Sequence, residues 1–287
     1  MTDGTDDLEP EKLTADRILS VDSTHFSPDN VAIVTGAGSG IGRVTAAALA
    51  HNGLTTVGLD VDEAGLAETA DIVERVGGEG RFVAAETDLT NDADCEAAVE
   101  AAAEEGTVRY LANIAGLQHI SPLPDFEMEK YDQLMDVMTR APFLLSKLVM
   151  PHVRETDDGR GVIANMSSIH GHYTTRDKAA YITSKFAIRG LTNAIAAEGE
   201  GSLRSFSVSV GYVKTPLVVD QIADQARERG ISQREVVEDV MLGQARTKTM
   251  MDPIDVGNLF VFGCSDYARH LNGADLLFDG GYTNTYE

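Results

Sequence analysis

Cysteine is almost missing from these 287 residues: only Cys95 and Cys264 occur, which leaves no disulfide framework and no metal-ligand spacing. His170 and His172 form a close pair, but no further ligand spacing accompanies them, so no metal is expected. Lysine is also scarce, confined to positions 12, 130, 147, 178, 185, 214 and 248, and arginine supplies most of the positive charge. No apolar run is long enough to cross a bilayer. The opening MTDGTDDLEPEKL is acidic and lacks the apolar stretch of a signal peptide. Internal repeats and low-complexity segments are lacking too. These absences point to a cytoplasmic chain with no membrane partner.

Acid is what the chain has in excess. A formal charge of -23 argues against nucleic acid or an anionic membrane surface as a partner. The acidic residues run along the whole length, as expected of an enzyme adapted to high salt, where screening removes self-repulsion. A hydrophobic content of 43% over 287 residues suits one large α/β domain with a real core. Residues 1–28 read as an acidic extension outside the main fold, and 29–287 as the domain.

Apolar strands are expected at 31–35, 54–59, 81–85, 108–113, 162–166, 205–210 and 274–278. Helical spacing occupies 43–51, 62–76, 93–105, 127–153, 179–199 and 253–264. Strands alternating with helices predict a Rossmann-type, doubly wound parallel sheet. The pattern changes over 215–246, where two helical pieces flank Gly230. Inserted after a strand end, they would make a lid over a pocket or simply cover the sheet.

The first strand runs into Gly36, Ala37, Gly38, Ser39, Gly40, Ile41 and Gly42, and then into a helix. Glycines there let the backbone approach a pyrophosphate, and the helix N-terminus offers free N–H groups. The same glycines could serve only a tight turn. Asp60 ends the second strand, placed to accept both hydroxyls of an adenosine ribose and to repel a 2′-phosphate; it could equally cap the following helix. No Arg or Lys lies inside the glycine turn or just after Asp60, so NAD is favoured over NADP.

The segment 168–185, SIHGHYTTRDKAAYITSK, carries the chemistry. Tyr181 and Lys185 stand four apart on a helix and therefore on one face. A cation fixed beside a phenol lowers its pKa from roughly 10 toward a working range. Ser168, closing the preceding strand, can hydrogen-bond the same reacting oxygen. Alone, a Tyr and a Lys one turn apart are common on surface helices; the glycine turn and Asp60 give the pair its weight.

Together these motifs resemble the short-chain dehydrogenase/reductase family over nearly the whole chain after Pro28. TGAGSGIG resembles its cofactor turn, and Asp60 its NAD-type acidic residue. The resemblance implies cofactor contacts from Gly36, Ser39, Gly40, Ile41, Gly42, Asp60, Asp88, Leu89, Asn113, Ala115, Gly116, Tyr181, Lys185, Val213 and Thr215. It implies catalysis by Ser168, Tyr181 and Lys185, and assembly as a homotetramer. Substrate-side positions resemble those of bacterial D-3-hydroxybutyrate dehydrogenases: Gln118 in AGLQH, His170 in SIHG, Lys178 in DKAAY and Gln221 in KTPLVVDQI. The implied substrate is a small anionic hydroxy acid or keto acid, its carboxylate held by those four. A cation, an imidazole and two amides suit a carboxylate on chemical grounds as well. Taken singly, Lys178 could be a solvated lysine and His170 a loop histidine.

Four positions depart from the family pattern. Ile114 stands for a second Asn, Val210 for a Pro before Gly211, and Tyr212 for an aromatic that is Trp in the hydroxybutyrate enzymes. Met138 stands for the Asn on the long helix whose backbone carbonyl holds a water linked to the lysine. Pro142 lacks the N–H that would bond the Met138 carbonyl four residues back, and so is expected to free it.

Overall fold

The computed structural model describes residues 8–284. Seven strands form one parallel sheet: β1 (Asn30–Thr35), β2 (Thr55–Asp60), β3 (Arg81–Glu86), β4 (Thr107–Asn113), β5 (Gly161–Met166), β6 (Leu203–Val210) and β7 (Ala274–Phe278). Their spatial order is β3-β2-β1-β4-β5-β6-β7, with every neighbouring pair parallel. The order reverses between β1 and β4, where open α/β sheets place their ligand crevices.

Alternation along β1 shows how the core divides. Ala32 and Val34 face one layer, beneath α1 (Gly40–His51), α2 (Glu63–Val76) and α9 (Pro253–Cys264). Val31 and Ile33 face the other, beneath α3 (Asp92–Glu105), α5 (Ala141–Arg154) and α6 (Ala179–Glu198). With both faces covered, the central strands become continuous apolar runs, as β1 is.

The lead-in departs from expectation. Residues 8–28 do not lie outside the fold. Leu13 and Ile18 enter the core layer of α1 and α9, and Leu8 packs with Ile222, Val236 and Met241 of the 215–246 insertion. The Arg17 guanidinium meets the Asp252 carboxylate at 2.7 Å, while Leu19 and Val21 N–H donate to Asn258 and Asn52. An acidic composition hid three well-spaced apolar anchors. Residues 1–7 of the extension lie outside the described residues.

The long helix is broken further upstream than Pro142. It comprises α4 (Met128–Met135), a π-helical turn over Asp136–Arg140, and then α5, with Pro142 in the first turn of α5. The helix is continuous through this junction, so the missing Pro142 N–H leaves a carbonyl of the π turn without its helical donor. The insertion forms α7 (Pro216–Arg229), ended by the left-handed Gly230, and a short α8 (Gln233–Glu235) that continues as a π turn, Val236–Met241.

Candidate active site

A cleft of about 420 Å³ opens at the carboxyl ends of the strands. Its floor is the glycine turn. Gly36 and Gly40 take left-handed backbone, with φ of 69° and 49°. At Gly42 a Cβ would stand 2.0 Å from the Gly36 carbonyl oxygen, so only hydrogen fits. Asp60 turns its carboxylate onto this loop, accepting the Gly38 N–H at 2.9 Å and the Asp62 N–H at 3.0 Å. The Thr35 hydroxyl accepts the Ile114 and Ala115 N–H groups at 2.9 and 3.0 Å, tying the loop after β4 to the end of β1.

All the residues expected to contact the cofactor line this cleft except Asn113. Asn113 is buried, donating its amide to Asn165 at 2.9 Å; Asn165 in turn donates to Thr192. It braces β4 against β5 and α6. Sequence reading missed Thr90, Gln133, Val137 and Ser167, which also line the cleft. None carries a local motif; loops, α4 and the π turn bring them in. Arg43 was missed as well: its guanidinium folds back onto the Gly38 carbonyl and pairs with Glu68 at 2.8 Å. A cation therefore stands near the turn although none lies inside it or just after Asp60. The crowded glycine turn, its carboxylate at the β2 end and the apolar walls fit a dinucleotide.

Ser168, Tyr181 and Lys185 also face the cleft. Ser168 caps a short 3₁₀ turn, Ile169–Gly171, its hydroxyl accepting the His170 N–H at 3.1 Å. Lys185 is buried; its ammonium donates to the Met166 carbonyl at 3.0 Å and lies 5.4 Å from the centre of the Tyr181 ring. Burial pushes the lysine pKa down to about 8 and the Tyr181 phenol up, with the Ser168 side chain opposing the latter. The expectation that Lys185 lowers the tyrosine pKa is therefore not met in this arrangement. The ammonium is turned to a backbone carbonyl, and desolvation of the phenol dominates.

The four expected substrate residues divide. His170 and Lys178 are both buried, and His170 packs edge-on against Tyr181 with ring centres 5.8 Å apart. Burial, aided by the Lys178 charge, pushes the His170 pKa down to about 3, so its imidazole is neutral. Burial also pushes Lys178 down to about 8. The Gln118 side-chain oxygen is buried without a partner. The Gln221 amide instead donates to Leu217 of its own helix at 3.1 Å, and none of the four is among the residues lining the cleft. Tyr173 and Tyr282 were missed. Their hydroxyls meet at 3.1 Å, and Tyr282 also packs against Tyr212, so a residue near the chain's end reaches the neighbourhood of Tyr181.

The chain resembles known proteins over most of its length. A profile of the short chain dehydrogenase family matches residues 30–226. The D-beta-hydroxybutyrate dehydrogenase of Rhizobium meliloti (strain 1021) is 32% identical over 258 residues, 88% of this chain and 98% of the relative. Levodione reductase superposes with a TM-score of 0.84 at 27% identity, covering 91% of this chain and all of its own. A putative NAD(P) dependent gluconate 5-dehydrogenase from Beutenbergia cavernae, with NADP bound at low occupancy, gives a TM-score of 0.79 at 28% identity over 91% of this chain and 99% of that one. The chain belongs to the short-chain dehydrogenase family and is an oxidoreductase of that class.

Proposed function

We propose that the protein oxidises (R)-3-hydroxybutyrate to acetoacetate reversibly, with NAD as cofactor. The observation that carries this reading is the meeting of Ser168, Tyr181 and Lys185 in the glycine-floored cleft, with His170 packed edge-on against the Tyr181 ring and the Lys178 charge acting on that imidazole. Bound NAD supplies the hydride acceptor. Tyr181 takes the proton of the substrate hydroxyl, and Ser168 hydrogen-bonds the same oxygen and steadies its developing charge. Lys185 turns from the Met166 carbonyl to hold the phenolate and the nicotinamide ribose. Lys178 supplies the cation for the carboxylate, with the neutral His170 as a further hydrogen-bonding group. Residues 215–246 act as the lid, and its closure swings Gln221 from Leu217 toward the substrate.

Asp60 supports NAD, because its carboxylate already faces the glycine turn. Arg43, two bonds of contact away through Gly38, favours NADP to a lesser degree, since Glu68 offsets its charge. The π turn supports a proton path without the family's Asn. Ala141 N–H reaches the Asp136 carbonyl five residues back. Continued in that register, Pro142 withholds the donor due to Val137; in the α-helical register it withholds the one due to Met138. These loosened carbonyls are the ones we assign to the relay water.

Tyr181→Phe should lower turnover by about 10²- to 10⁴-fold while the dissociation constant for NAD stays unchanged. Initial rates with a panel of hydroxy acids and both dinucleotides provide the check. Undiminished turnover would remove Tyr181 from the mechanism, and NADP binding tighter than NAD would overturn the cofactor assignment. A second reading is a dehydrogenase of another small hydroxy acid or alcohol. It is favoured by the Tyr173, Tyr212 and Tyr282 cluster, whose Tyr173 ring packs on His170, itself against Tyr181. Preference for a neutral alcohol in the same panel would select it.

A further inference from the structure

A second cavity, of about 460 Å³, lies at the opposite end of the strands, where β5 and β6 begin. Its charge runs against the character of the chain. Arg160, Arg204 and Arg269 line it with His25 and His270, and Asp266 is its one lining carboxylate. Arg204 forms the buried floor, its guanidinium donating only to the carbonyls of Leu271, Gly263 and Ser265. Neutral acceptors satisfy those N–H groups, and the one lining carboxylate, Asp266, acts on the guanidinium only through space. One carboxylate charge therefore stands against three guanidiniums, and the next acidic group, Asp158, is held by another arginine. Asp266 accepts the Thr24 N–H at 2.9 Å, and Asp158, paired with His25, is held by Arg109 at 2.8 Å. Tyr110 and Cys264 also line the cavity, and burial keeps phenol and thiol protonated, so neither supplies negative charge. Arg160 and Arg269 stand exposed at the rim, with no ion pair to a carboxylate among the described residues.

We propose that this cavity binds a phosphate-bearing anion, its oxygens bridging the rim guanidiniums above Arg204 and any organic body resting on Tyr110 and Val162. Guanidinium forks match phosphate oxygens in pairs, and the volume falls within the range of small-ligand sites. The residues lie at the opposite end of the strands from the glycine turn, so the inference is independent of the reaction proposed above.

Calorimetric titration with inorganic phosphate and with phenyl phosphate tests it. The full-length protein would be used with saturating NADH filling the nucleotide cleft, at constant ionic strength, with acetate as control. Saturable binding is expected, weakened about tenfold or more in the Arg160→Glu, Arg269→Glu double variant. Both changes are at exposed positions, and an unchanged melting temperature without phosphate verifies the fold. Tighter binding of phenyl phosphate assigns the occupant as an organic monoester, and equal binding assigns free phosphate. No saturable heat, heat matched by acetate, or equal affinity in the double variant would overturn the proposal.

Discussion

At the scale of the residue, burial sets the chemistry of this site more than pairing does. His170, Lys178 and Lys185 are each held well below their ordinary pKa by loss of water, and the Tyr181 phenol is pushed up by the same cause. His170 gives a pH test. Its folded pKa of about 3 lies below the unfolded value of 6.5, so between those values the unfolded chain binds the extra proton. Stability therefore rises with pH across that window and is lost as pH falls through it. The groups facing the ring are Ser168, Thr175, Tyr173, Tyr181 and the Lys178 charge, and none is a carboxylate that would rescue the imidazolium. His170→Asn should flatten the stability slope between about pH 3 and 6.5, read by denaturant titration at several pH values. An unaltered slope would show that the imidazole reaches water. The meeting of Tyr181 and Lys185 was legible because they share a helical face four residues apart. The state of their protons was not, because desolvation depends on what the rest of the chain packs around them.

At the scale of the element, the glycine turn and the broken helix teach different lessons. The glycine turn could be read from its residues, since steric exclusion at Gly42 is local to strand, turn and helix. The helix break could only be half read. Pro142 announced an irregularity, but the π turn begins six residues earlier at Asp136, where side chains from α6 and the cleft wall meet it. Met138 is buried there, and its sulfur lies 3.9 Å from the Ser184 hydroxyl. Pro142→Ala restores an N–H donor for the loosened carbonyls. The expected result is a lower kcat with an unchanged dissociation constant for NAD. Unimpaired turnover across the pH range would remove the carbonyls from the proton path. Gln221 marks the limit at this scale: its place on α7 was legible, but not that its amide folds back onto the Leu217 carbonyl of the same helix.

At the scale of the whole molecule, charge dominates. A formal -23 spread over one domain makes self-repulsion a general destabiliser in dilute buffer. At about 1 M salt the screening length falls to about 3 Å, which quenches repulsion between all but neighbouring carboxylates. The melting temperature should therefore rise from dilute buffer to molar salt; a fall would count against adaptation to high salt. Exposed phenyl rings of Phe143 on α5 and Phe186 on α6 leave apolar surface uncovered in the single chain. The expected assembly is the homotetramer implied by the family resemblance, and light scattering that reads the mass of one 30.7 kDa chain would refute it.

Wherever the physics is local, the sequence was sufficient. Alternating strands and helices, the room for hydrogen alone at Gly42, and the shared helical face of Tyr181 and Lys185 all follow from residues within a few positions of each other. Tertiary structure decided what depends on distant neighbours. It drew residues 8–28 onto α9 through Arg17 and Asp252, sank Asn113 beneath the cleft, and gathered Tyr282 beside Tyr173 and Tyr212. It also turned Lys185 toward Met166 and set arginines around a cavity in an acidic protein. Desolvation and long-range charge pairing are properties of the packed volume, and no stretch of chain contains them alone.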